Sequence, residues 1–409
     1  MNLIVFEDAG YLNLLPLVYG RATFNLRCGA DNLLTKIEKA VGRPAEAVFV
    51  RESLAPAIAE RQTRRVNQPS PSDDQVWING RLLARGELDI PPNSAAWVGD
   101  SLAAARVGRS VGCHLTPSVL TDPAKLRAAL NSCAAATLPQ SAGRLIQYPW
   151  ELIEENAAEL LRQLPDSPCQ ASGRIDDGAH IVNPSSVRVC QDAVVRPGAV
   201  LDAESGPIHV GPGAVVGPGA VVAGPCYIGE RCTILPGASI RGGCSIGDVC
   251  KIGGELEASI VHGYSNKQHD GFIGHSYIGE WVNLGAGTVG SDLKNTYGNV
   301  RMPINGRPID TGRQFVGAVI GDHAKTAIGT RLPTGCVIGY ACNVALSAFA
   351  PRFVPSFSWL TDAGSQPNDV DRALELARTV WTRRDRTMSP DEEKLFRSVV
   401  AAAAIYESP

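Results

Sequence analysis

"VGPGAVVGPGAVVAGPCYIGERCTILPGASIRGGCSIGDVCKI", residues 210–252, repeats every six residues. Val210, Val216, Val222, Ile228, Ile234, Ile240, Ile246 and Ile252 keep the beat without an insertion. Four positions after each of the first seven stands a small residue: Ala214, Ala220, Cys226, Cys232, Ala238, Cys244 and Cys250. Self-similarity at a short fixed period marks a solenoid, in which each repeat buries its apolar face only by stacking on its neighbour. Six residues make one short strand and a turn, and three such sides close a triangular coil of about 18 residues. The aliphatic residue then points into the prism, the small residue fits near a corner, and Gly-Pro pairs supply turn dihedrals that β-branched residues refuse. The spacing therefore predicts a parallel β-helix.

The same beat returns at Ile278 and Leu284 and again at Ile320, Leu332, Ile338 and Val344. An earlier run, Val189, Val195 and Leu201, is out of phase by three residues, which places a short insertion near "AESGP", residues 203–207. Cys226 and Cys244, like Cys232 and Cys250, lie one coil apart. Stacking at about 4.8 Å does not exclude a disulfide by distance. Parallel Cβ vectors suit one badly, so these cysteines read as small buried hydrophobes.

Bulk composition sets the outer limits. At 409 residues the chain is too long for one ordinary domain. Hydrophobic content is 44%, charged content 19% and net charge −3, which suits a well-buried core and gives no support for nucleic-acid or membrane binding. The 42 glycines and 28 prolines exceed the roughly 12% that these two residues usually share, an excess of turn chemistry that the hexads explain. Eleven cysteines without a C-x2-C pair support neither a zinc site nor, in so long a chain, a secreted disulfide framework. No apolar run reaches membrane-spanning length, and "MNLIVFEDAG" reads as a first strand rather than a leader. A cytoplasmic location with free thiols is expected.

Upstream, "NLIVFED", "EAVFV" and "QVWINGRLL" read as strands, with helices over "ADNLLTKIEKAVG" (stopped by Gly42) and "SLAPAIAERQ". This β-α alternation points to an α/β nucleotide-binding layer over residues 1–148. A linker helix, "YPWELIEENAAELLRQL", follows within 149–168, with Leu152, Leu160 and Leu161 as its buried stripe and Pro165 beyond its end. The β-helix should occupy 169–350, and an extended segment with two helices 351–409.

The hexads break twice, at 259–277 and at about 289–318, and loops ejected from a rigid solenoid are natural carriers of function. The first break carries His269-Asp-Gly-Phe272-Ile-Gly274. Ile278-Gly279 and Asn283-Leu-Gly-Ala-Gly-Thr288 follow, then "SDLKNTYGN" with Asn295 and Tyr297. This run resembles the acetyltransferase domain of the bifunctional glucosamine-1-phosphate acetyltransferase/N-acetylglucosamine-1-phosphate uridylyltransferase family. That family carries His-x-x-Tyr-Leu-Gly, an Ile-Gly hexad, Asn-Ile-Gly-Ala-Gly-Thr and an Asn-Tyr pair. Phe272 replaces the family's tyrosine, and the Asn-Tyr pair is longer here. Leu14-Leu15-Pro16-Leu17, Arg21, Arg27-Cys-Gly29 and Tyr148-Pro149-Trp150 look like a divergent bacterial branch of the same family, extending the resemblance over nearly the whole chain.

The resemblance implies an α/β N-terminal nucleotidyltransferase-like domain, an all-β left-handed parallel β-helix and short C-terminal helices. It also implies a homotrimer acting on an amino-sugar phosphate with acetyl-CoA. Transfer from a thioester to an amine needs a base near neutrality, a role that fits His269. Asp270 would orient the ring, and Asn295 or a backbone N–H would steady the oxyanion. Lys267, Arg301, Asn266, Tyr297, Arg21 and Arg27 are the substrate-binding candidates. Gly285, Ala286, Gly329, Thr330 and Arg383 are candidates for acetyl-CoA, the last within a basic knot with Arg384 and Arg386.

In the N-terminal layer the family's G-x-G-T-R triphosphate loop is missing: "DAGYLNLLPLVYGR" offers one glycine and Arg21 before Ala22. Asp8 and Asp100 are the only carboxylates placed for Mg²⁺ beside UTP or another NTP. Two other readings stay open: a sugar-1-phosphate nucleotidyltransferase whose β-helix is structural, and a non-catalytic sugar-nucleotide-binding scaffold.

Overall fold

The computed structural model describes residues 1–164 and 173–407. Pro165, expected beyond the linker helix, and the expected start of the β-helix at 169 lie outside the described residues. The chain forms two compact units, the first from Met1–Leu26, Asp31–Tyr148 and Met388–Val399, the second from Arg27–Ala30, Pro149–Thr387 and Val400–Pro409. The long N-terminal part of the first unit ends at Tyr148, while Arg27–Ala30 and the end of the last helix belong to the second unit. Among the described residues no helix is long and apolar enough to cross a membrane.

In the first unit Asn2–Phe6 runs parallel to Ala47–Phe49 and Gln75–Asn79 at the centre of a seven-stranded sheet, completed on one side by antiparallel Ser101–Val107. The helix Leu33–Val41 starts where the Asn32 side chain accepts from the Thr35 N–H and stops at Gly42, whose φ of 74° is left-handed.

The second unit is a parallel β-helix, with sheets of eleven, six and nine strands as its three sides. Its register gives the coil length directly. Val189 stacks on Val210 and Val195 on Val216, a spacing of 21, which is the three-residue insertion expected near residue 203. Val210 then stacks on Ile228 and Ile228 on Ile246 at 18. The inward aliphatics form one continuous buried column from Val187 to Val354. Cys226 lies directly opposite Cys244, and both are free and buried, as are Cys232 and Cys250. Burial pushes the Cys244 thiol up to about 12, so it is inert at neutral pH. Ile246→Val, one methyl from the middle of this column, should cost about 1 kcal/mol, read as a lowered urea midpoint with unchanged slope.

Three expectations change. Residues 259–277 are not ejected. Ile260–Gly263, Asn266–Lys267, Phe272–Gly274 and Tyr277–Glu280 all ladder onto the preceding coil. The chain instead trims its corners: Ile252 pairs with Lys267 at a spacing of 15 and Leu256 with Ile273 at 17. The coil also does not end at 350. Phe353–Val354 and Ser358–Thr361 add further rungs, and Gly364–Pro367 turns back antiparallel on the last. In the helix Pro149–Gln163, Leu152 and Leu160 are buried as expected, but Leu161 is 53% exposed. Its packed face is Trp150, Ile153, Asn156 and Glu159, because Asn156 hydrogen-bonds Gly29 N–H and the Gly243 carbonyl.

The second break is a true excursion. Ile278 stacks on Ile320 across 42 residues, and the added segment contains the hairpin Arg301–Ile304 and Arg307–Asp310. Asn305 and Gly306 turn it with φ of 50° and 76°, the left-handed pair a tight hairpin requires.

Candidate functional site

Lys267 takes the place of an aliphatic core residue, paired with Ile252 in register. Its side chain is 3% exposed. The ammonium donates to the carbonyls of Gly253 (2.7 Å) and His269 (3.0 Å). Burial holds its pKa down to about 8, against the pull of the Asp270 and Glu255 charges. A lysine so engaged is turned away from solvent and clamps the corner Gln268–Gly271 from within.

The same corner is fixed from both sides by backbone bonds. Gly253 N–H donates to Lys267 O (2.6 Å), Glu255 N–H to Gly271 O (3.1 Å) and Gly287 N–H to Asp270 O (3.1 Å). Gly271 is required there: at φ 126° an added Cβ would lie 2.1 Å from Thr288 O. On this corner His269 and Asp270 are exposed. Among the described residues no hydrogen bond or ion pair holds the imidazole, and none joins it to the Asp270 carboxylate, so Asp270 does not orient the ring here.

The next corners of the stack carry the other predicted residues. Gly285 and Ala286 follow directly above, and Gly329 N–H donates to Ala286 O (2.7 Å). Gly285 N–H meets Thr326 Oγ1 (3.0 Å), and Thr330 Oγ1 donates to Ala327 O (2.8 Å), so the buried Thr330 hydroxyl serves its own turn. His269, Gly285, Ala286 and Gly329 therefore form one ridge along an edge of the prism, beside the exposed Ile328. Asn266 points outward from the adjoining side, where its Oδ1 accepts from Arg384 (2.9 Å) and its Nδ2 faces Asn283 (3.4 Å).

The excursion holds the remaining candidates. Asn295, Tyr297 and Arg301 are exposed there, and among the described residues no hydrogen bond or ion pair brings them to His269. Sequence reasoning passed over a different pair on this segment's base: His275 Nδ1 lies 2.8 Å from Asp292 Oδ2. His275 borders a cavity of about 350 Å³ walled by Trp150, Ile153, Arg313 and Phe315. The separation of 17 between His275 and Asp292 equals one local coil, a signal legible only once the shortened coil is known.

In the first unit the substrate and metal candidates are engaged elsewhere. Both Asp8 oxygens bind Arg81, at 2.7 and 2.6 Å from its Nε and Nη2, with both side chains buried. Asp8 also caps the turn that follows it through Gly10 N–H (3.1 Å). Asp100 is almost fully exposed, 3.6 Å from Arg127. Asp8 and Asp100 thus do not fit a Mg²⁺ site, and among the described residues no group of three His, Cys, Asp or Glu is arranged to hold a metal. Arg21 is buried and donates to Leu17 O (2.8 Å). Arg27 belongs to the second unit, where its N–H donates to Tyr277 Oη (2.9 Å) and its guanidinium lies 5.4 Å from the Tyr227 ring.

Residues 3–166 match the family model described as sugar nucleotidyl transferase, and residues 207–242 match that of the bacterial transferase hexapeptide (six repeats). A bifunctional sugar-1-phosphate nucleotidylyltransferase/acetyltransferase of Sulfurisphaera tokodaii is 34% identical over 106 residues, 25% of this chain and 26% of the relative. A bifunctional protein GlmU of Methanocaldococcus jannaschii is 28% identical over 102 residues, 25% of each chain. The chain thus spans about a quarter of the length of these curated relatives. Among solved structures, a Francisella novicida UDP-N-acetylglucosamine acyltransferase aligns with a TM-score of 0.28 and 17% identity, covering 56% of this chain and 78% of that one.

Proposed function

We propose that this chain, in which a nucleotidyltransferase-family domain precedes hexapeptide repeats, is a transferase of sugar-nucleotide synthesis that moves an acetyl group from acetyl-CoA to the amine of an amino-sugar 1-phosphate, glucosamine 1-phosphate being the first candidate. The observation that carries the reading is His269, an exposed imidazole on a corner held rigid by Lys267 and by backbone bonds on both sides. A neutral amine attacks the thioester carbonyl, and His269 takes the proton that the nitrogen sheds as its bond to carbon forms. When the tetrahedral intermediate collapses the C–S bond breaks, and the departing thiolate takes up a proton. Backbone N–H groups on the ridge and Asn295 are the candidates for the oxyanion. Gly285, Ala286, Gly329, Thr330 and Arg383 remain the candidates along the acetyl-CoA path. Asn266, Tyr297 and Arg301 remain those for the sugar phosphate.

An open corner of this kind suits completion by a neighbouring copy, and a homotrimer is part of the proposal. Sedimentation equilibrium giving the monomer mass would count against it. The whole reading is tested by release of free thiol when the protein meets acetyl-CoA and glucosamine 1-phosphate. No release across a panel of amino-sugar phosphates would overturn it.

A second reading rests on the match of residues 3–166 to sugar nucleotidyl transferases. Nucleotidyl transfer in the first unit would use UTP or another NTP with N-acetylglucosamine 1-phosphate, and its Mg²⁺ would need carboxylates other than the pair Asp8 and Asp100. Nucleotide-sugar formation that persists undiminished in His269→Ala, in a protein without thiol release, would favour this reading over the first. A cytoplasmic location accords with both.

A further inference from the structure

The β-helix has a corner where residues in the left-handed region stack coil upon coil: Arg231, Val249, Tyr264, Trp281 and His323, with φ of 52°, 60°, 52°, 60° and 61°. Large side chains here lie flat on one another. The Tyr264 and Trp281 rings stack at 4.3 Å, and Trp281 meets Trp381 of the helix Val370–Thr382 at 4.8 Å. This packing fixes the segment that leaves the helix. Its last carbonyls are already used, Trp381 O by the N–H of Arg384 and of Arg386, Thr382 O by that of Asp385. The negative end of the helix is therefore closed off by its own turn.

Between this turn and the corner lies a recess of about 430 Å³, lined by Arg231, Val249, Tyr264, Arg384, Asp385 and Arg386. The guanidinium partners there are neutral. Arg384 donates to Asn266 Oδ1 (2.9 Å) and Arg386 to Tyr264 Oη (2.7 Å), and among the described residues neither is in an ion pair. Arg384 Nε is buried and has no acceptor among the described residues. Among the described residues Arg231 forms an ion pair only with Glu230 beside it in the chain (3.1 Å), both well exposed, an arrangement worth little in water. Asp385 is the one carboxylate in the lining.

We infer that this recess is a binding site for a phosphate or pyrophosphate group of a small ligand. Three guanidiniums reach it from two separate chain segments. A planar carboxylate offers its acceptors in one plane, whereas the oxygens of a phosphate point in several directions and can meet forks from more than one side. Arg384 Nε supplies a donor whose burial is unfavourable until an acceptor arrives. Arg384 ties the recess to Asn266, a sugar-phosphate candidate of the proposed function, so binding of pyrophosphate alone, and not turnover, is what measures this site independently of that reading. The same group occurs on sugar phosphates, nucleoside triphosphates and coenzyme A, and competition separates these sources.

The test is calorimetric titration of the full-length protein with inorganic pyrophosphate, repeated with Arg384→Gln/Arg386→Gln. Glucosamine 1-phosphate, UTP and coenzyme A then serve as competitors. Saturable binding that weakens by about tenfold or more in the double variant, at an unchanged melting temperature, is the expected result; one lost charge-assisted bond corresponds to at least that factor. Should that variant fold poorly, Asp385→Asn gives an independent reading, because removing the like charge should tighten binding a few-fold. Equal affinity in wild type and in every variant, or no saturable binding of pyrophosphate to the wild type, would overturn the inference.

Discussion

Replacing His269 by alanine should lower the rate of thiol release from acetyl-CoA by about 10²- to 10⁴-fold, the usual contribution of a positioned general base. Folding should be untouched, since the ring is exposed and no hydrogen bond or ion pair holds it among the described residues. The same exposure allows a sharper check. Small added bases such as imidazole should restore part of the lost rate, because the space vacated by the ring opens to solvent. His275→Ala is the control. Its imidazole is held by Asp292 at 2.8 Å and lies 5.3 Å from the Phe315 ring, a different place in the fold. If His275→Ala silenced the enzyme and His269→Ala did not, the base would belong to the His275–Asp292 pair and the proposal would fail.

Lys267→Met should flatten the dependence of stability on pH. The folded protein holds the Lys267 pKa at about 8, below the usual 10.5, because the charged form is buried. Below pH 8 both folded and unfolded chains carry the proton, and the cost of burying the charge is fully present. Between 8 and 10.5 only the unfolded chain keeps it, so stability rises with pH and the stabilisation is complete above 10.5. At 1.36 kcal/mol per pH unit, wild type should gain about 2 kcal/mol from this group between pH 7 and 9.5. Lys325, whose pKa burial also lowers to about 8, titrates in the same window, as do exposed groups. The difference between wild-type and Lys267→Met urea midpoints at the two pH values isolates Lys267. Parallel profiles would refute the assignment. The near-isosteric methionine leaves the carbonyls of Gly253 and His269 without their donor. The corner should then loosen and thiol release fall about tenfold, a loss that reorientation of a catalytic group by a fraction of an ångström can cause.

The β-helix was legible because its rule is local. Hexads name the inward residue, the corner and even the 21-residue length of one early coil, from the phase of Val189 against Val210. The rule fails at 259–277 for the same reason. It assumes six residues per side and an aliphatic at each beat, whereas the chain shortens its corners and places Lys267 at the beat. Closure of the three-sided coil, a tertiary requirement, then overrides the pattern and keeps the segment in the ladder. His269 was found through a motif. Its setting, with Lys267 inside and Asp270 unbonded to the ring, depended on which way two neighbouring side chains face. Pairings across long stretches of chain, such as Asp8 with Arg81 and Asn266 with Arg384, leave no periodic trace at all.

The excursion after Gly290 leaves and rejoins the solenoid at stacked positions: Gly290 pairs with Leu332 as Ile278 does with Ile320. Its two ends are thus held at a separation set by the coils alone. Whatever lies between them can lengthen, shrink or be exchanged while the frame stays closed, since bringing fixed ends together costs little more for a longer loop. The segment behaves as a socketed attachment. On the proposed function, residues here can change without disturbing the ridge that carries His269.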